Sequence, residues 1–415
     1  MPKTGSIVKR RDCLRQIILI AVSLCMLLFP ILASVTLQVS AQTEEERHWI
    51  TLGPNRIALF SFPPSYLEEG WMYLATSPVE KMSLRGVYLS EDRGDTWASF
   101  SEGLIPKKRH YYTALAFSPN FSEDRTAWLF GHKTGLTSEE AFGGMWETTD
   151  GGLTWTEIEY QGFPYREMTR RVSQDIIGVV LSNNFAEDNT MVAAAAGEGV
   201  YISHDRGRNW EMLSSIKDIT NVYAPPSYPE ESFLALATTG SQVMVSTDGG
   251  MTFETRGQGL PELMKSVRGV AFSENFSQDR TMFCYGSAGV FISEDAGMNW
   301  SNIATPEENV SIESMAVIGD FTEYGSIAYG TDDQKIFLSD DMGKTFESIN
   351  SETLLNYKVD VIAFAPDYQT SKELFVGSQD GIFRFGPARD ETSAAVAQAE
   401  AESVEATRSA RATAV

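Results

Sequence analysis

The sequence predicts an all-β fold built from one short antiparallel unit repeated along the chain. Three observations carry that prediction. Six eight-residue segments are near-copies of one another: Ser90–Trp97 (SEDRGDTW), Thr148–Trp155 (TTDGGLTW), Ser203–Trp210 (SHDRGRNW), Ser246–Phe253 (STDGGMTF), Ser293–Trp300 (SEDAGMNW) and Ser339–Phe346 (SDDMGKTF). A second turn-like segment recurs between them, and no amphipathic helical segment appears after the first 41 residues. Self-similarity of this kind sets the architecture of a whole chain and is read before anything else.

Each near-copy follows a short apolar run such as GVYL, GVYI or GVFI and precedes another strand-like stretch, so it reads as the turn of a β-hairpin. Asp92, Asp150, Asp205, Asp248, Asp295 and Asp341 are placed to fold a carboxylate back onto backbone N–H groups of their own turn. Gly94, Gly152, Gly207, Gly250, Gly297 and Gly343, two positions later, supply a positive φ. The rings of Trp97, Trp155, Trp210, Phe253, Trp300 and Phe346 are large enough to fill space between neighbouring sheets.

This segment resembles the Asp-box (BNR) repeat of the Asp-box β-propellers, a group that includes sialidases, xyloglucanase-type glycosidases, sortilin ectodomains and photosystem II assembly factors. The resemblance covers nearly everything between about residues 48 and 386. It implies that the box lies on the turn between the third and fourth strands of each blade, as a structural element outside the active site. It identifies a fold and leaves function open.

The second segment gives the blade count. Ser118–Thr126 (SPNFSEDRT), Ser182–Thr190 (SNNFAEDNT) and Ser273–Thr281 (SENFSQDRT) are clear copies, and Phe62–Gly70, Ala224–Ser232, Ile318–Ser326 and Ala365–Glu373 are looser ones. Each sits between two alternating apolar runs, as the hairpin joining the first two strands of a blade would. Seven such hairpins stand against six Asp boxes. The last unit ends at Gly381–Phe385 (GIFRF) with no box after it, while His48–Asn55 (HWITLGPN) reads like the Trp-bearing strand that follows a box. The expected fold is therefore a seven-bladed β-propeller of four-stranded blades, closed by the N-terminal strand completing the last blade, which leaves no exposed sheet edge between the first and last blades. A monomer is expected.

The flanks are of different composition. Lys3, Lys9, Arg10, Arg11 and Arg15 precede an apolar stretch from Ile17 to about Val39, ending in Ser40 and Ala41. Residues 1–41 are thus expected to be a signal peptide or an N-terminal membrane anchor, and the protein extracytoplasmic, secreted or tethered at the cell surface. Residues 42–387 form the propeller, and residues 388–415, rich in Ala, Glu, Ser and Thr, read as a disordered tail.

Charge and cysteine exclude several functions. The formal net charge is −23, and the leader's five basic residues and Asp12 contribute +4, so the remainder sits near −27. Such a surface argues against nucleic acid and anionic membrane surfaces as partners. Beyond the leader only Cys284 remains, so no internal disulfide forms, and no metal-ligand spacing is present. No metal or cofactor is expected.

Function then falls to departures from the repeat. The Asp-to-Asp spacings are 58, 55, 43, 47 and 46, so the first two intervals carry insertions. Strand order places these at residues 76–86, 131–144 and 160–175, all on the face opposite the boxes and in one sector. That sector collects Lys107, Lys108, Arg109, His110, Tyr111, Tyr112, His132, Lys133, Tyr165, Arg166, Arg170 and Arg171. A basic, aromatic-rich cluster on an acidic protein suits an acidic protein segment or a polysaccharide; ordinary solvated loops are the alternative.

A second set lies where each inner strand begins. Counting back eight positions from the aromatic of each first hairpin gives Ala58, Thr113, Ile177, Thr220, Arg268, Glu313 and Asp360. Arg268, Glu313 and Asp360 fall in neighbouring blades at the mouth of the channel. Two carboxylates and an arginine are raw material for glycosidase chemistry, or equally an inter-blade ion-pair network. Two readings stand: a non-enzymatic propeller that binds a protein or polysaccharide through the insertion sector, and a glycoside hydrolase, sialidase- or xyloglucanase-like, using Glu313 and Asp360.

Overall fold

The computed structural model describes residues 47–53, 57–76, 86–104, 109–134, 142–162, 176–240, 242–262, 264, 266–305, 307, 310–350 and 357–389. Seven four-stranded antiparallel sheets succeed one another along the chain. Their innermost strands are Ile57–Ser61, Arg109–Phe117, Ile176–Leu181, Ile219–Tyr223, Val267–Phe272, Ile312–Ile318 and Val359–Phe364, which number blades one to seven. Blades one to six take their strands consecutively. Blade seven takes three from the C-terminal end and its outermost strand, His48–Thr51, from the start of the propeller.

That closing strand pairs with Ile382–Gly386 in the register His48 to Gly386 and Thr51 to Phe383. Trp49 packs on Phe385 with ring centroids 5.1 Å apart, and its indole N–H donates to the Ile349 carbonyl just beyond the outer strand of blade six. The indoles of Trp155 and Trp300 make the same kind of bond to the preceding blade, at the carbonyls of Phe100 and Arg256. The N-terminal strand thus supplies blade seven with the tryptophan that its own repeat lacks.

Burial explains why each blade needs its neighbours. The second strands Met72–Thr76, Met191–Ala195, Leu234–Thr238 and Leu374–Ser378 are buried along their whole length, whereas outer strands such as Thr156–Glu157 are exposed. Apolar side chains gather into seven clusters, one per blade-to-blade seam. The seam between blades one and two, for example, joins Tyr73 and Leu89 to Leu129, Trp146 and Trp155. A single blade cannot bury both of its faces, so stability is shared between neighbours around the ring.

Two sets of turns lie on one face. Five first hairpins contain a single helical turn (Tyr66–Glu69, Phe121–Asp124, Phe185–Asp188, Phe276–Asp279 and Tyr368–Ser371) whose leading aromatic is buried. In the turn between third and fourth strands, the Asp295 carboxylate accepts from the Asn299 N–H at 2.8 Å and from the Asn299 side chain at 2.7 Å. The Ser293 hydroxyl accepts from the Gly297 N–H at 2.8 Å, and Gly297 has φ +88°. The other five turns repeat these bonds.

One further bond was not foreseen. The residue between Asp and Gly also has positive φ, and its N–H donates to the carbonyl that ends the first hairpin of the same blade. The pairs are Arg93 to Gly70, Gly151 to Arg125, Arg206 to Asn189, Gly249 to Ser232, Ala296 to Arg280 and Met342 to Gly325. In blades one to six the two turns are thus stitched together on this face.

Candidate functional site

The second and third turns of the hairpin order place the connections between second and third strands on the opposite face, called here the loop face. Blade two stands out there. The other inner strands begin one residue before a register shift, but that of blade two begins at Arg109, four residues before Thr113. Its second strand runs to Thr134 and its third starts at Phe142, so Arg109 pairs with Thr134, His110 with Lys133, Tyr111 with His132, and Lys133 with Phe142. The 131–144 insertion, expected as a loop, is in part strand: Gly131–Thr134 and Phe142–Gly144 lengthen the sheet. Three extra residues at ~3.3 Å each carry this edge of the blade about 10 Å beyond its neighbours.

The lengthening brings Arg109, Tyr111, His132 and Lys133 onto one hairpin, an association that sequence separation alone hides. Tyr112, the last residue before the shift, is buried against Trp146, and burial pushes its hydroxyl pKa upward. Lys107, Lys108, Tyr165, Arg166, Arg170 and Arg171 lie outside the described residues, as do residues 77–85 of the first insertion.

The second set has a plain backbone explanation. All seven inner strands carry a register shift at one equivalent place, and the skipped residues are Ala58, Thr113, Ile177, Thr220, Arg268, Glu313 and Asp360. A β-bulge leaves its extra residue out of the ladder and re-aims its side chain. Counting from the hairpin aromatic had found a ring of bulges without naming it as such. Thr113 and Thr220 use their hydroxyls to reach the next blade, at the carbonyls of Ile176 and Val267.

In blades five to seven the bulge residues are charged and meet. Arg268 places its two terminal nitrogens on the two oxygens of Glu313, at 2.7 and 3.2 Å. Lys358 donates to the same carboxylate at 2.6 Å and lies 3.8 Å from Asp360. The Glu313 side chain is 5% exposed, while those of Arg268 and Lys358 are 39% and 45% exposed. Burial raises the Asp360 pKa, Lys358 opposes the rise and Glu313 adds to it. Lys358 was missed because the count took one position per blade, and it sits two residues before its own blade's bulge.

Chemically this quartet is an inter-blade ion-pair network whose central carboxylate has both oxygens engaged by cations. A glycosidase acid needs a proton to give and a base needs a free lone pair. Glu313 is poorly placed for either role as it stands. Among the described residues no three His, Cys, Asp or Glu side chains converge as a metal site. No helix among them is long and apolar enough to cross a membrane. Residues 1–41, expected to be a signal peptide or membrane anchor, lie outside the described residues.

The class is clear from this architecture: the chain is a seven-bladed β-propeller. No protein-family profile matches it. Among curated proteins, a xyloglucanase of Hypocrea jecorina is 22% identical over 197 residues, which is 46% of this chain and 22% of that protein. Vacuolar protein sorting/targeting protein 10 of Aspergillus flavus is 25% identical over 143 residues, 32% of this chain and 9% of that protein. The chain therefore matches less than a quarter of the length of these curated relatives.

Solved structures give the same class at greater coverage. YCF48 bound to D1 peptide superposes with a TM-score of 0.57 at 17% identity, covering 83% of this chain and 97% of that one. YCF48 from Cyanidioschyzon merolae gives 0.53 at 15% identity, covering 82% and 98%. A GH74 xyloglucanase from Xanthomonas campestris gives 0.57 at 13% identity, covering 81% of this chain and 53% of that one. At these identities the likeness is one of fold.

Proposed function

We propose that this chain is an exported, non-enzymatic Asp-box propeller that binds a protein or polysaccharide partner on its loop face. The projecting hairpin of blade two is the observation that carries the reading. It groups Arg109, His110, Tyr111, His132 and Lys133 where, among the described residues, the inner strand begins three residues further before the bulge than in the other blades. The preceding segment adds Lys107 and Lys108, and the segment leading to blade three adds Tyr165, Arg166, Arg170 and Arg171. Cations clustered on a chain of net charge −23 attract an anionic segment and repel little else of their own surface.

Two further points support the reading. The single propeller spans nearly the full length of a one-propeller structure bound to a peptide, whereas it spans about half of the xyloglucanase. The carboxylate pair of the enzymatic alternative is tied into ion pairs. What favours that alternative is the Asp360 carboxyl, whose proton affinity is raised by burial and further by Glu313 on the preceding blade.

The full chain is tested for binding to immobilised polyglutamate and to soluble xyloglucan, and for turnover of chromogenic glycosides. The expected result is capture by one of the two ligands, lost in Arg109→Glu/Lys133→Glu and in Arg166→Glu/Arg170→Glu/Arg171→Glu, with no turnover. Turnover that disappears in Glu313→Gln would sink the binding-only reading.

A further inference from the structure

The ring closes in blade seven, where strand pairing joins Ile382–Gly386 to His48–Thr51, the strand that leads into blade one, so the seam between blades seven and one is the closing seam; blade seven is also the one blade without an Asp turn. The described chain nevertheless continues past the last strand to Arg389, beyond the point where composition placed the tail. Arg389 donates through Nε and Nη2 to the two oxygens of Glu373, each at 2.8 Å, within blade seven. Across the seam it reaches blade one: Nη1 lies 2.8 Å from the Asp95 carboxylate and 3.3 Å from the Asp92 carbonyl, and Nη2 is 3.1 Å from the Arg93 carbonyl. One guanidinium thus spends its donors on both sides of the closing seam.

The acceptor is a recurrent one. Arg93 is the positive-φ residue between Asp and Gly of blade one's turn. The equivalent carbonyl of blade two, Gly151, accepts from the Tyr73 hydroxyl of blade one at 2.8 Å. That of blade five, Ala296, accepts from Arg256 of blade four at 2.6 Å. In those seams the donor comes from a blade strand. In the closing seam it comes from the segment after the blade.

The surroundings answer from the other side. The Arg93 guanidinium reaches back to Asp367 of blade seven at 2.7 Å and lies over the Tyr66 ring at 5.2 Å. Glu373, 4% exposed, also holds the buried Arg384 of the strand that pairs with His48–Thr51. Buried charges are tolerated only when paired and hydrogen-bonded on every side. Arg389 completes that pairing.

We propose that Pro387–Arg389 is a strap that stands in for the missing seventh Asp turn and, through Arg389, locks the ring independently of the N-terminal strand. Propeller closure then uses two latches: the sheet bonds of His48–Thr51 toward the outer rim, and Arg389 on the Asp-turn face. Loss of the strap opens the closing seam locally while the other seams keep their packing.

The test is hydrogen exchange on the full chain, comparing wild type with Arg389→Ala, Arg389→Lys and Asp95→Ala. Glu373 keeps Arg384 as a partner in these variants, so the fold survives. In Arg389→Ala the amides of His48–Leu52 are expected to exchange at least tenfold faster, with Leu234–Thr238 of blade four unchanged. Arg389→Lys should recover only part of the protection, since one ammonium cannot fork between four acceptors. Adding Asp95→Ala to Arg389→Ala should then have little further effect. Unchanged exchange at His48–Leu52, or an equal rise in every blade, would overturn the strap.

Discussion

On one face of the ring six turns repeat the same bonds almost atom for atom, while on the other a single blade outgrows its neighbours by three residues. The two faces are made from the same strands. The first holds its side chains by bonds to backbone a few residues away, as Asp295 does with Asn299, so local sequence dictates it. The second depends on strands that continue past the common bulge in blade two alone. What differs is therefore the range of the interactions, and with it the freedom of each face to vary without unfolding the ring.

That contrast is broken most severely at the seam-filling aromatics. Trp300 is buried between blades four and five, and Trp300→Ala should lower stability by about 3–5 kcal/mol, seen as a lower urea midpoint. Removing a turn carboxylate is milder. Asp295→Ala should cost about 1–2 kcal/mol, because three donors of the turn lose their acceptor. Ligand capture on the loop face should persist in whatever fraction stays folded.

Acid provides a graded test of the same turns. Side-chain hydrogen bonds from Thr252 and Thr345 hold the Asp248 and Asp341 carboxyls at about 2, below the ordinary 3.8 of an aspartate. A folded pKa below the unfolded one means that the unfolded chain takes up protons first. The stabilisation is fully present above about pH 4 and is lost as pH falls through about 2. Thr252→Val should lower stability most at pH 5 to 8, where the Asp248 carboxylate is ionised, and least near pH 2, so that stability falls less steeply on acidification.

The smallest stability effect belongs to the loop face. Arg109→Glu/Lys133→Glu should shift the urea midpoint by no more than ~0.5 kcal/mol equivalent, the usual range for surface positions. The same pair of changes should have the largest effect on capture. A variant that unfolded the ring would make the hairpin part of the scaffold.

Much of the fold could be read from sequence because blades one to six announce themselves twice, once by a first hairpin and once by an Asp turn, and blade seven once, by its hairpin. Closure was legible from His48–Asn55, since a tryptophan strand without a blade and a blade without a tryptophan strand fit one another. The strap was not legible. Arg389 lies in a segment whose composition matches a tail, and its partners Asp95 and Glu373 are distant in sequence. The ring of bulges was located by counting, but a register shift is a backbone property with no residue signature, as Ala58 and Ile177 at the same place as Asp360 demonstrate. Lys358 escaped because it sits two residues before its blade's bulge, outside a count of one position per blade.

The central claim is that the loop face of blade two binds and the Asp-turn face supports. Hydrogen exchange of the full chain, with and without whichever of polyglutamate or xyloglucan it captures, tests this directly. The account predicts slowed exchange within residues 109–134 and no change at the turns around Asp205, Asp248, Asp295 and Asp341. Protection centred on those turns, or on the inner strands carrying Arg268, Glu313 and Asp360 with residues 109–134 unaffected, would contradict it.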